Sequence, residues 1–389
     1  MTTYDDRAHQ GGLSDRTYGR VGEDLTAAAE RVRASVEGVI EGKPEVVRLA
    51  LTVLLAEGHL LIEDVPGVGK TMLAKALARS IDCSVQRIQF TPDLLPSDIT
   101  GVSIFDQQRR DFEFKPGAIF AQIVIGDEIN RASPKTQSAL LESMEERQVT
   151  VDGTTYELPS PFMVIATQNP VEMEGTYPLP EAQRDRFMAR VSIGYPSGEA
   201  ELRMLDVHGG LSPLDDLEPA AHAQDIVKLI DAVRTVYVAQ AVRRYAVDLV
   251  GATRAHQDLR LGASPRATLH LLRAAKAAAA LDGRDYALPD DVQALAPAVL
   301  AHRLLPTAQA QLGRRTAEQV VLEILRNTPL PSDGGGHVPQ AGARGGGRPR
   351  PAARGAEGAA PPPGRWCRAG RAGRAGAGQA SGSSTAVPV

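Results

Sequence analysis

Apolar positions in this chain of 389 residues follow two rhythms. Over residues 22–57 they recur at helical spacing and predict two helices, the second starting near Pro44 with Val46, Val47, Leu49, Ala50, Val53 and Leu54 on one broad face. Short continuous apolar runs follow at 59–62, 85–90, 119–125, 161–166 and 190–195, as expected of strands buried on both faces. A helix over 70–81 separates the first two. Ser133-Pro134 starts another helix, because Ser is a good N-cap and Pro suits the first turn, and Leu140, Leu141 and Met144 form its apolar side. Strands alternating with helices predict an α/β fold with a parallel sheet. Two hairpins interrupt it, one within 93–120 and one over 148–158 that turns at Asp152-Gly153.

Beyond Gly209-Gly210 the pattern becomes helical throughout, from Ile226, Leu229, Ile230, Val233 and Tyr237 to helices beginning at Ser264-Pro265 and spanning 289–304 and 317–326. This predicts a flexible N-terminus over 1–20, an α/β core over 21–208 and a small all-α domain over 209–329. From about 330 to 389 Gly, Ala, Pro and Arg dominate without periodicity, so disorder is expected there.

The formal net charge is -4, but it is unevenly spread. From Gly334 onward eight Arg face one Glu, a tail charge of about +7, which leaves the remainder near -11 and disfavours a nucleic-acid-binding core. The two cysteines, Cys83 and Cys367, exclude a disulfide framework and an all-cysteine metal site, and they point to a reducing, cytoplasmic setting. The first twenty residues lack a signal-peptide core. The longest apolar stretch, 46–62, carries Arg48, Glu57 and His59, so no membrane span is expected.

Candidate chemistry concentrates where strands end. Pro66, Gly67, Val68, Gly69, Lys70, Thr71 and Met72 lie between an apolar strand and a helix, where a Gly-rich turn can aim backbone N–H groups at a polyphosphate. Lys70 would reach the outer phosphates of ATP and Thr71 would ligate Mg²⁺. Asp64 occupies the first position of the eight-residue pattern, usually Gly, and a plain Gly-Pro turn is the alternative for this segment alone. Asp127 and Glu128 end the run 123–125; taken alone they could be a solvated turn, but beside a phosphate loop they suit the magnesium shell and water activation respectively. Asn169 closes the next strand, where an amide can hold a γ-phosphate and water, although an Asn-Pro turn would look the same. Arg184 and Arg186 follow on a short helix over 181–187; an arginine from a neighbouring subunit is a common stabiliser of phosphoryl charge, but spacing does not choose between them.

These segments, with Asp127-Glu128-Ile129-Asn130-Arg131-Ala132, Met144-Glu145-Glu146-Arg147-Gln148-Val149-Thr150 and Thr176-Tyr177-Pro178-Leu179-Pro180-Glu181-Ala182, resemble the MoxR family of AAA+ ATPases over roughly residues 25 to 328. The resemblance implies an AAA+ P-loop sheet flanked by helices and followed by a helical lid, with Mg²⁺-dependent ATP hydrolysis driving chaperone-like remodelling of protein complexes. It implies a homo-oligomer, a hexameric ring, working with a von Willebrand factor A domain protein, and it names no client. By the same likeness Asn169 is the first sensor, Arg186 the arginine finger acting in trans, Arg266 the second sensor, and the two hairpins the helix-two insert and the pre-sensor hairpin. Asp64 is usual in this family. Arg184, where the family usually has an apolar residue, and the tail after Pro331 depart from it. A DNA-acting AAA+ motor and the motor subunit of a metal chelatase are the alternative readings.

Overall fold

The computed structural model describes residues 23–170, 176–199, 201–202 and 213–331; the expected flexible N-terminus and Arg-rich tail lie outside them. Two helices, α1 (Glu23–Val39) and α2 (Pro44–Leu55), lead into β1 (Leu60–Glu63), α3 (Lys70–Ser80) and β2 (Val85–Gln89). Then come α4 (Pro96–Thr100), the hairpin of β3 (Gly101–Asp106) and β4 (Asp111–Pro116), β5 (Ile123–Asp127) and α5 (Pro134–Glu146). The second hairpin, β6 (Gln148–Val151) and β7 (Thr154–Glu157), precedes β8 (Met163–Gln168), α6 (Glu181–Arg184) and β9 (Ala189–Val191).

The five core strands form one parallel sheet in the order β2-β5-β8-β1-β9. Alternate residues serve opposite faces, as the pleat requires. Leu60, Ile62, Ile123, Ile125 and Ile165 join the cluster that includes α1, α2 and α3, whereas Leu61, Val124 and Val164 join the one under α5. Asp152 and Gly153 both take positive φ, 51° and 79°, which is the backbone a tight two-residue hairpin turn needs. Phe114 stacks on Tyr156 at 4.0 Å and joins the two hairpins, while Phe105 and Phe112 further out remain exposed.

The C-terminal helices are α7 (Ala223–Thr235), α8 (Gln240–Ala255), α9 (Pro265–Leu281), α10 (Pro289–Leu300), α11 (Ala308–Leu312) and α12 (Ala317–Asn327). Apart from α11, their apolar faces belong to the same cluster as α1 and α2, so the helical part is packed onto the sheet's flank through a continuous core.

Several expected boundaries shift. The run 119–125 enters the sheet only at Ile123, because the Ile119 N–H bonds to the Ile99 carbonyl instead. The strand expected over 161–166 starts at Met163 and extends to Gln168, consistent with the missing N–H of Pro161. The last strand stops at Val191 rather than 195, where the Gly194 N–H turns to the Asp64 carboxylate at 2.6 Å. The helix expected over 289–304 ends at Leu300 and continues as a 3₁₀ turn, Ala301–Arg303, that carries Arg303 back into the core. The C-terminal region is not purely helical: Leu259–Leu261 (β10) pairs antiparallel with Leu305–Pro306 (β11). That ribbon is too short for periodicity to reveal. Among the described residues no helix is long and apolar enough to cross a membrane.

Candidate active site

The loop between β1 and α3 stands at the C-terminal ends of the parallel strands, where open α/β sheets bind ligands. Gly67 and Gly69 have φ of 84° and 87°, a left-handed backbone that a Cβ would strain, and Gly69 is the residue from which α3 springs. Asp64 explains its place at the first loop position. Its carboxylate takes the Val65 N–H at 2.8 Å, the Ser192 hydroxyl at 2.9 Å and the Gly194 N–H, so it fastens the loop to the chain leaving β9. Burial would raise its pKa, but these donors outweigh it and hold the group below the usual carboxylate range.

Lys70 Nζ donates to the Asp64 carbonyl at 2.7 Å and lies 3.5 Å from that of Gln168, so its ammonium sits between the ends of β1 and β8. Thr71 Oγ1 lies 3.1 Å from Asp127 Oδ2. Glu128 follows with φ 58°, an uncommon backbone for a non-glycine residue and one that turns its side chain out of the strand direction. Asn169 is 5% exposed at the end of β8, between the neighbouring ends of β5 and β1. Lys70, Thr71, Asp127, Glu128 and Asn169 therefore gather at one end of the sheet.

Hydroxyl and carboxylate oxygens suit a hard cation, and Thr71 and Asp127 supply them. Among the described residues no group of three His, Cys, Asp or Glu side chains could hold a metal by itself. A Mg²⁺ ion here would depend on Thr71, Asp127 and the oxygens of a bound polyphosphate. The residues present fit a nucleotide with its metal.

Four partners in this cluster were not singled out by sequence patterns. Thr167 Oγ1 donates to Asp127 Oδ1 at 2.8 Å and accepts the Glu128 N–H at 3.1 Å. On the edge strand β2, Arg87 Nε donates to Asp127 Oδ2 at 2.8 Å, and Arg87 Nη2 to Gln89 Oε1 at 2.7 Å. Gln89 Nε2 donates in turn to Glu128 Oε2 at 2.9 Å, and Arg131 pairs with the same oxygen at 3.1 Å. The available signal was the i, i+2 spacing of Arg87 and Gln89, which puts both on one side of β2.

Arg186 and Arg266 are not part of this group. Arg186 Nε pairs with Glu145 Oε2 at 3.2 Å, and Arg266 pairs with the other oxygen of Glu145 and lies 3.6 Å from Asp185. Both line a cavity of about 300 Å³ with Gly58, His59 and Met144. His59 immediately precedes β1, whereas the phosphate loop follows it, so the arginines stand at the opposite end of the sheet. The four residues of β1 span about 13 Å. Arg184, the other candidate, is half-buried, and its Nε is buried without a hydrogen-bond partner among the described residues.

The helical part is fixed against this region by Arg303, only 2% exposed, which donates to Asp185 Oδ1 at 2.8 Å and to the carbonyls of Phe187 and Met188. At the loop end, Arg190 bridges Glu63 on β1 at 2.6 Å and Glu318 on α12.

A Gly-rich loop, a lysine, a hydroxyl and an acidic pair at the ends of parallel strands are the features of a phosphate-loop nucleoside triphosphatase. Residues 59–189 match the ATPase family associated with various cellular activities (AAA), and 251–324 match the AAA lid domain. The chain is 50% identical over 309 residues to the uncharacterized protein YeaC of Bacillus subtilis, covering 79% of this chain and 97% of that one. It is 42% identical over 322 residues to chaperone MoxR1 of Mycobacterium tuberculosis, covering 80% and 84%. The crystal structure of a protein assigned as an ATPase from Cytophaga hutchinsonii superposes with a TM-score of 0.74 at 37% identity, covering 79% of this chain and 96% of that one. The chain belongs to the MoxR family of AAA+ ATPases.

Proposed function

We propose that this protein hydrolyses ATP with Mg²⁺ to drive chaperone-like remodelling of protein complexes, as a ring, hexameric by the family likeness, in the cytoplasm. In this reading Lys70 and the loop N–H groups bind the phosphates, Thr71 and Asp127 hold the metal, Glu128 takes a proton from the attacking water, and Asn169 orients that water. Bound Mg²⁺ supplies charge neutralisation at the β- and γ-phosphates. The AAA+ core spans 21–208 and the lid 209–329. A von Willebrand factor A domain partner and a protein client complete the assignment.

One observation carries the oligomeric part. Arg186 and Arg266 sit at the end of the sheet opposite their own phosphate loop, so a nucleotide held at that loop is out of their reach within one chain. This position supports the reading that both serve a nucleotide on a neighbouring copy. The remodelling role draws on the relative described as a chaperone.

The test mixes two inactive proteins. Arg186→Ala should bind ATP normally and hydrolyse it poorly, and adding Lys70→Ala subunits should restore part of the activity, because mixed interfaces then contain one intact loop and one intact arginine. Wild-type hydrolysis that is independent of protein concentration, from a species that stays monomeric with ATP, would refute completion in trans.

A further inference from the structure

Two arginines brought together from different parts of the chain need something to set their relative position. Arg186 lies just past α6 in the core, and Arg266 is in the first turn of α9 on the lid. Glu145, near the C-terminal end of α5, meets both with separate oxygens. Its bond to Arg186 uses Nε. Among the described residues no partner engages the two terminal nitrogens of Arg186, so the edge of the guanidinium that can grip a phosphate bidentately is left available. Arg266 has one terminal nitrogen on Glu145 and the other near Asp185.

The surroundings favour an incoming anion. Four arginines, Arg147, Arg186, Arg266 and Arg273, line the cavity against two carboxylates, Glu57 and Glu145. Burial pushes the two lining histidines, His59 and His270, down to about 4 and about 2, so they add no charge near neutral pH. A carboxylate between two guanidiniums lowers their mutual repulsion and lets them stand side by side before a phosphate arrives.

We propose that Glu145 is a positioning residue for hydrolysis: it holds Arg186 of the core and Arg266 of the lid in one frame, so that both address the polyphosphate bound by the neighbouring copy. Glu145 acts through the two arginines it contacts. The inference rests on the trans reading of those arginines. It also makes Glu145 a link through which lid orientation reaches the arginine of the core.

Glu145→Gln removes the charge and puts an amide between two cations. Steady-state ATPase assays should show kcat lower by about tenfold with KM for ATP within about twofold of wild type, because the loop that binds the nucleotide is untouched. In an Arg186→Ala background the same substitution should cause a smaller loss than in wild type, since one of the two groups it positions is gone and only Arg266 remains to be displaced. Mixing Glu145→Gln subunits with Lys70→Ala subunits should recover activity, a result that general unfolding would not give. Glu145→Asp, which keeps the charge on a shorter arm, should fall between wild type and Gln, and it serves as the test variant if Gln does not fold. Unchanged kcat in Glu145→Gln, or full multiplicative loss in the double variant, would overturn the proposal while low activity of Arg186→Ala left the trans reading standing. Wild-type hydrolysis by both Arg186→Ala and Arg266→Ala would instead overturn the trans reading, and the role of Glu145 with it.

Discussion

His59 offers a stability prediction with its sign set by two hydrogen bonds. The ring is buried just before β1, where Nδ1 lies 3.0 Å from the Val164 N–H and Nε2 lies 3.0 Å from the Met144 carbonyl. Val164 can only donate and Met144 can only accept, so the imidazole is neutral with its proton on Nε2. A second proton would have to go on Nδ1, breaking the Val164 bond in a buried site with Arg147 and Arg273 nearby. Burial, reinforced by these cations, brings the pKa down from 6.5 to about 4 despite the opposing Met144 bond. The unfolded chain therefore binds this proton first as pH falls. The stabilisation is fully present above about 6.5 and is lost progressively as pH drops toward 4. Between about pH 7.5 and about pH 5 the loss is about 2 kcal/mol. His59→Gln isolates it, because Gln can still donate to Met144 but has no charge to gain. At the higher pH the variant should be less stable by about 1–3 kcal/mol, the cost of leaving the Val164 N–H without its acceptor. At about pH 5 the gap should shrink by about 2 kcal/mol. Urea unfolding followed by circular dichroism at both pH values, without nucleotide, measures this difference. An equal gap at the two pH values would refute the neutral, singly protonated assignment.

Two further outcomes follow from the same geometry. Lys70→Ala should lose nucleotide binding, whereas Glu128→Gln should retain it and turn over at least about a hundredfold more slowly, as fluorescent-nucleotide titration and phosphate release would show; equal loss of binding in both would defeat the division of roles. Arg303→Met should lower unfolding free energy by about 3–5 kcal/mol, because it leaves the Asp185 carboxylate and several carbonyls without their buried cation, and a loss of unfolding free energy below about 1 kcal/mol in urea titrations would contradict that reading.

Much of the core was legible in order along the chain. The loop from Pro66 to Met72, Asp127-Glu128 and Asn169 each lie at the end of an apolar run, and a parallel sheet sends all such ends to one side. Their convergence was therefore foreseeable once the strands were read. Thr71 and Asp127 do meet, and Lys70 lies between the ends of β1 and β8. Strand ends were less legible, because side-chain pattern does not report where a backbone N–H finds its partner: Ile119 bonds to Ile99 and Gly194 to Asp64.

The sequence by itself determined the α/β alternation, the phosphate loop and the acidic pair, since each depends on local spacing within a few residues. Only the tertiary structure decided what lies across strands and between the two parts of the chain. Arg87 and Gln89 reach the acidic pair because β2 happens to neighbour β5. Arg186 and Arg266 are 80 positions apart, yet one carboxylate on α5 joins them. That pairing depends on how the lid packs against the sheet, which is set by buried apolar faces and by Arg303 and leaves no periodic trace in the chain.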